Sequence, residues 1–457
     1  MLINSELNYK PVSYKQLTED KEFWAGCQSC VNYKILASKN QQHCMCTAML
    51  YDPAKEIKNK EEKMKVVLAF SGGLDTSYCV KHLIEDEGYE VHTVTVDTGG
   101  FSDQELMDIE RRAYTLGATT HQSVKATSDF YKKCVRYLIF GNVLKNNCYP
   151  LCVSAERIFQ AWVIANKALE IKADAIAHGS TGAGNDQIRF DMMFHIMCPE
   201  VKIITPIRDQ KLSREQEQDY LKKHHIACSD KVTSYSINQG LWGTSVGGCE
   251  TLTSHKPLPE SAWPTQMDKN SDDKISIKIT FEKGEPIAID DKAASPIAII
   301  KQLQRVAQPY GIGRDVHVGD TIINIKGRVG FEAAAPLILI KAHHLLEKHV
   351  LTKAQLKLKD QIAVTYGELI HEGQFMEPVL RDIEAYLLSS QKRVCGDVFI
   401  EISPWQLQIL GCQSKYDLMA AEGSTYGESN ESWTADDVKG FSKILSNQLR
   451  AYKKVEG

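Results

Sequence analysis

An apolar strand pattern that runs directly into two adjacent glycines and then into a helix pattern leaves few folds open to this chain. Val66–Phe70 is a continuous apolar run suited to a strand buried on both faces. Thr76–Glu87 puts Cys79, Val80, Leu83 and Ile84 on one helical face. Between them lies Ala69-Phe70-Ser71-Gly72-Gly73-Leu74-Asp75-Thr76-Ser77. The glycines let the backbone turn sharply and bring its N–H groups close to a ligand, the hydroxyls of Ser71, Thr76 and Ser77 add donors, and the helix points its positive end at the same place. Such a loop suits a phosphate chain. Asp75 would repel bare phosphate, so it points to a Mg²⁺ ion or to a helix cap. The lysine of the G-x-x-x-x-G-K-[ST] loop is missing. A plain tight turn with a capped helix is the other reading.

Strand and helix patterns continue to alternate. Val91–Val96 reads as a strand; Ser102 with Glu105 is a capping-box signature before a helix that stops at Gly117; Ile158–Leu169 reads as a helix, Asp174–Ala177 and Val201–Thr205 as strands, and Ser213 with Gln216 caps a further helix. This predicts βαβ units on a parallel sheet. From about Tyr235 glycine and proline become frequent and alternating segments follow: Ile275–Phe281, Asp320–Lys326, Asp397–Ile402 and Gln406–Leu410, with helices at Pro296–Tyr310 and Pro336–Lys348. Expected overall is an α/β fold: an extension at 1–62, a parallel-sheet nucleotide-binding domain at 63–234, an α+β domain at 235–430 and a C-terminal helix at 431–457. That helix has an apolar stripe at Val438, Phe441, Ile444, Leu445 and Leu449, which suits either a partner subunit or its own domain.

The 457 residues carry 54 Lys+Arg against 58 Asp+Glu, a net charge of −4 that gives no basic field for nucleic acid. No apolar run approaches the roughly 20 residues of a membrane span, and MLINSELNYK lacks a signal-peptide pattern. A cytoplasmic protein with neither membrane nor nucleic-acid partner is expected. Its thirteen cysteines, an odd number, fit reduced thiols. Cys27, Cys30, Cys44 and Cys46 fall within 20 residues and offer a Zn²⁺ site or the ligands of an iron–sulfur cluster. The other reading is a reduced extension packing beside Phe23, Trp24 and Tyr33.

A second glycine loop, His178-Gly179-Ser180-Thr181-Gly182-Ala183-Gly184-Asn185-Asp186-Gln187-Ile188-Arg189-Phe190, follows the strand at 174–177. It stands at the carboxyl end of a parallel strand, where open α/β sheets bind ligands. Thr181, Asn185, Asp186 and Arg189 supply a hydroxyl, an amide, a carboxylate and a guanidinium, a set that suits an amino acid.

AFSGGLDTS resembles the pyrophosphate-binding loop of the N-type ATP pyrophosphatases, an adenine nucleotide alpha hydrolase-like group, and the second loop is similar to the H-G-x-T-G-x-G-N-D-Q-x-R-F block of the argininosuccinate synthase family. The resemblance runs from about Met64 to the C-terminus, through GRDVHVGD, KGRVGFEAAA and TADDVKGFSKILSNQLRAYKK. It implies a ligase of arginine biosynthesis, which joins citrulline and aspartate with ATP through a citrulline adenylate and releases AMP and pyrophosphate, and a cytoplasmic homotetramer assembled through the C-terminal helix. ATP is implied at Ala69, Phe70, Ser71, Gly72, Gly73, Leu74, Asp75, Thr76, Ser77, Val96, His178 and Gly179, and aspartate at Thr181, Asn185 and Asp186. Citrulline is implied at Tyr149, Ser154, Asn185, Arg189, Ser236 and Ser245, with Arg157 beside it as a phosphate or carboxylate contact. Asp75 and Asp186 are the implied catalytic residues: Asp75 toward Mg²⁺ and pyrophosphate, Asp186 orienting the aspartate amine and relaying its proton.

Departures from the family pattern cluster on the acceptor side. Ala183 stands for a lysine, Gly319, with Asp320 next to it, for a glutamate expected on citrulline's amino group, and Phe331 for a tyrosine; the family's G-T-S-x-A-R is Cys152-Val153-Ser154-Ala155-Glu156-Arg157. Other readings are the same chemistry on a modified ureido acceptor, a tRNA-thiolating ATP pyrophosphatase, and a non-catalytic ATP-binding paralogue.

Overall fold

Strand β1 (Lys65–Ala69) has its three central residues fully buried, as a strand covered on both faces must. In the computed structural model, which describes residues 63–182, 184–227, 234–267, 274–422 and 432–457, it is the middle strand of a parallel sheet of order β3-β2-β1-β4-β5, with β2 at Glu90–Asp97, β3 at Thr120–Lys125, β4 at Ala175–Ala177 and β5 at Lys202–Ile204. All described residues belong to one unit, Lys63–Gly457. Cys27, Cys30, Cys44 and Cys46 lie outside the described residues.

Helices of eight residues or more are α1 (Leu74–Glu85), α2 (Asp103–Thr115), α3 (Ser154–Ile171), α4 (Asp186–Met197), α5 (Arg214–Lys223), α6 (Pro296–Ala307), α7 (Ala334–Val350), α8 (Lys353–Glu372), α9 (Val379–Ser390), α10 (Ala435–Leu445) and α11 (Asn447–Val455). The expected capping boxes form: Ser102 Oγ accepts the Glu105 N–H at α2, and Ser213 Oγ the Gln216 N–H at α5. Helix α1 starts two residues earlier than the periodicity predicts, with Gly73 as its N-cap.

Two antiparallel sheets complete the fold. One has the order β11-β12-β7-β6, with β6 at Ser236–Gly240, β7 at Gly243–Gly247, β11 at Arg314–Asp320 and β12 at Lys326–Glu332; the other has the order β10-β9-β8-β13-β14, with β8 at Ile275–Glu282, β9 at Glu285–Ile289, β10 at Lys292–Ala293, β13 at Gly396–Ser403 and β14 at Gln406–Gln413. The strand expected at Asp320–Lys326 is instead the turn that joins β11 to β12. Its alternation of polar and apolar residues mimics a strand, but Thr321 takes the backbone N–H groups of Asn324 and Ile325 on its carbonyl and hydroxyl, and Asn324 adopts φ +59°. The C-terminal helix is broken at Ser446 into α10 and α11, and its whole apolar stripe is exposed, Ile444 at 75%.

The chain order reverses at β1. Strand β2 pairs on one side and β4 on the other, with Val66, Val67 and Leu68 opposite Ala175, Ile176 and Ala177. The loops after β1 and β4 therefore open side by side at the carboxyl edge, the place where doubly wound sheets bind ligands.

Candidate active site

The first loop is braced from within. Gly72 has φ +75°, and a Cβ there would meet Ile109 Cγ1 at 3.0 Å, so conformation and space both call for glycine. Ser71 Oγ accepts the Gly73 N–H at 3.3 Å and lies 3.2 Å from Thr76 Oγ1. Ser77 is fully buried; its hydroxyl donates to the Gly73 carbonyl at 2.6 Å and accepts from Arg112 Nε at 2.8 Å. It thus holds the loop's shape, while Ser71, Thr76 and Asp75 line the open side.

The second loop is set by His178, whose Nδ1 accepts the Ser180 N–H at 3.2 Å. That leaves Nε2–H to donate to Asp191 at 2.9 Å, and Arg208 holds the other Asp191 oxygen at 2.5 Å. The two loops touch: a Cβ on Gly179 would lie 3.3 Å from the backbone of both Asp75 and Thr76.

Together they line one cleft of about 570 Å³. Ala69, Phe70, Gly73, Leu74 and Val96 face it from the first half of the sheet, and His178, Gly179, Thr181, Asp186 and Ser236 from beyond β4. Arg157 anchors its floor, donating to Asp186 at 3.2 Å, Gln160 at 2.7 Å and Asn238 at 2.6 Å. Burial opposes ionisation of Asp186, but Arg157 and Arg189 outweigh it and hold the carboxyl below its ordinary value.

The other residues expected on the acceptor form a buried wall behind Asp186. Arg189, 4% exposed, donates to Asp186 at 2.9 Å, to Ser154 Oγ at 3.1 Å and to the His371 carbonyl at 2.8 Å. Tyr149 packs between His317 (5.0 Å) and Phe331 (5.3 Å), and Phe331 sits opposite Ser245 in the β12–β7 register. The Asn185 side-chain oxygen accepts the Ile322 N–H at 2.9 Å, which ties the second loop to the β11–β12 turn. At Gly319 a Cβ would fall 2.6 Å from His317 Nε2. Burial, then Arg189, push the His371 imidazole down to about 3.

Three residues escaped sequence reasoning. His371 ends α8, more than 180 positions from the Arg189 it meets, and nothing local marks it. Glu217, 2% exposed, lines the cleft beside Asp75; burial, then Asp75, push its carboxyl up to about 8. Glu156, 3% exposed, accepts from Thr98 at 2.6 Å and Gln160 at 3.2 Å, and burial pushes it up to about 7. Of the three, only Glu156 left a signal, as the acid in place of alanine in the C-V-S-A-E-R stretch.

Two family models match the chain: Arginosuccinate synthase N-terminal HUP domain over residues 65–227 and Arginosuccinate synthase C-terminal domain over residues 235–452. The chain belongs to the argininosuccinate synthase family. The argininosuccinate synthase of Xanthomonas campestris pv. campestris is 37% identical over 402 residues, covering 85% of this chain and 98% of that protein. That of Sulfurisphaera tokodaii is 36% identical over 395 residues (85% and 100%), and that of Methanocaldococcus jannaschii 35% over 364 residues (79% and 91%). Argininosuccinate synthase membership is thus carried by most of the chain, not by the two glycine loops alone.

Proposed function

We propose that this chain is an ATP-dependent ligase that condenses citrulline with aspartate to argininosuccinate, releasing AMP and pyrophosphate. The observation that supports the reading is the contact of Gly179 with Asp75 and Thr76, by which the loop expected to bind an anion and the loop expected to bind an amino acid share one cleft.

The ureido oxygen of the acceptor attacks the α-phosphorus of ATP, and pyrophosphate leaves into the loop of residues 71–77, where hydroxyls and the start of α1 stabilise its charge. The amine of aspartate then displaces AMP. Two arginines keep Asp186 ionised, which supports a role in orienting that amine over one in accepting its proton. Two amino acids and ATP must meet in one cleft, so positioning supplies much of the rate. The Mg²⁺ expected with ATP fits the oxygen donors of this edge, Asp75 with the Ser71 and Thr76 hydroxyls; when bound it neutralises charge on the leaving pyrophosphate. A cytoplasmic homotetramer joined through α10 and α11 fits their exposed stripe and the absence, among the described residues, of any helix long and apolar enough to cross a membrane.

A second reading keeps the chemistry and changes the acceptor. Lys145, His317, His371 and Arg189 gather at the acceptor wall, and Gly319 offers no acid there, which suits an acceptor lacking a free ammonium, such as an N-acylated citrulline.

Pyrophosphate release from the full chain with ATP, aspartate and either citrulline or N-acylated citrulline tests both. Release that needs aspartate and citrulline is expected. Release only with the acylated acceptor selects the second reading; a need for tRNA, or no release at all, ends both.

A further inference from the structure

Arg157 is held from three sides. Its Nε donates to Asp186 at 3.2 Å, its Nη1 to the Gln160 side-chain oxygen at 2.7 Å and its Nη2 to Asn238 at 2.6 Å. A guanidinium has donors and no acceptor, so only the oxygen end of the Gln160 amide can meet it. That end is selected from behind. The Gln160 nitrogen donates to Glu156 Oε1 at 3.2 Å and to the Val96 carbonyl at 3.4 Å, and the Thr98 hydroxyl donates to the same Glu156 oxygen at 2.6 Å. With the amide turned round, its oxygen would face two other oxygens and its NH₂ would face the guanidinium.

Glu156 is buried and does not line the cleft, whereas Gln160, Arg157, Asp186 and Asn238 all do. Its second oxygen has no hydrogen-bond partner and packs against Gly240, the last residue of β6. Strand β6 also carries Asn238, so Glu156 stands behind both neutral groups that grip Arg157. A buried acid with one oxygen unserved lowers stability. Packing alone does not account for an acid where the family pattern has alanine; the orientation of Gln160 does.

We propose that Glu156 is a positioning residue: through Gln160 it fixes the Arg157 guanidinium on Asp186 and so sets the affinity of the cleft for aspartate. The inference rests on the reading that Asp186 orients the aspartate amine. Glu156 touches no substrate and acts only through this series of hydrogen bonds.

The test is pyrophosphate release by the full chain with aspartate varied at saturating ATP and citrulline, alongside calorimetric titration of aspartate into the chain loaded with ATP. Glu156→Ala frees the Gln160 amide to turn and is expected to raise both the KM and the dissociation constant for aspartate roughly tenfold, the worth of about one hydrogen bond. The KM for ATP should move less than about twofold. Glu156→Gln keeps a carbonyl oxygen for Thr98 and Gln160 and should hold aspartate within about threefold of the wild type. Where Glu156→Ala fails to fold, Gln160→Leu, which takes the acceptor away from Arg157, should show the same split. Unshifted aspartate constants in these variants, a Glu156→Gln chain as impaired as Glu156→Ala, or equal losses for ATP and aspartate overturn the proposal. Where the wild type turns over, such a result overturns the positioning role alone. A chain that binds aspartate in the expected pattern but never releases pyrophosphate overturns the functional reading and supports the positioning role, and one that binds no aspartate overturns both.

Discussion

Glu156 fills the space that a side chain on residue 240 would need: an ideal Cβ on Gly240 would lie 1.8 Å from Glu156 Oε2. The acid that replaces alanine in the C-V-S-A-E-R stretch is thus accommodated by the missing side chain at the end of β6. Gly240→Ala should destabilise the chain by about 1–3 kcal/mol through overpacking. In the Glu156→Ala background the same change should cost far less, a coupling that a double-mutant cycle of urea unfolding measures. Additive effects would show that the two positions are independent.

Glu156 also makes stability depend on pH. Its folded carboxyl is pushed up to about 7, against roughly 4.3 in the unfolded chain. The folded state therefore keeps a proton that the unfolded state has lost, and stability falls as pH rises from about 4.5 to 7, by up to about 1.4 kcal/mol per unit. Glu156→Gln should flatten that part of the profile and be the more stable form at pH 8. Thermal unfolding at four or five pH values checks this, and parallel curves would refute it.

Asp75→Ala is expected to lower pyrophosphate release on the order of 100-fold while the melting temperature moves by only a few degrees. Asp75 stands at the rim of the cleft with Gly73, not Asp75, as the helix cap, so its removal leaves the local fold intact. Near-wild-type turnover would remove it from the reaction.

Arg189→Ala should raise the acceptor KM and also lower stability. The guanidinium is buried and serves Asp186, Ser154 and the His371 carbonyl; its loss leaves Asp186 to Arg157 alone and takes a donor from the buried Ser154 hydroxyl and His371 carbonyl, which costs about 1–3 kcal/mol. Kinetics and unfolding must be measured on the same preparation; an unchanged KM would place the acceptor elsewhere.

Removing residues 433–457, or introducing Phe441→Asp with Ile444→Asp, should reduce the particle mass measured by light scattering. Phe441 is 64% exposed and Ile444 75% exposed within one chain. Little change in the melting of the monomeric core is expected, because no residue of α10 or α11 is buried. An unchanged mass would mean the stripe does not join subunits.

What could be read in the sequence was local. The strand at β1 announces itself by unbroken apolar residues, and the caps at Ser102 and Ser213 by partners three positions away. The same local logic failed at Asp320–Lys326, since a turn with alternating residues carries the same pattern as a strand. The buried wall behind Asp186 depends on pairs such as Ser154 with His371, separated by 217 positions, and only folding brings these together. Glu217 was invisible for a related reason: its meaning comes from Asp75 on another helix.

Helix α1 begins on Gly73 with no side chain capping its first turn, an end that most helices close with their own residues. Whatever anion settles in the loop completes the helix, so occupancy and local order are coupled. Amide hydrogen exchange in residues 72–78 should therefore slow once the cleft is filled, and the segment proposed to take the departing group would then draw its rigidity from the substrate.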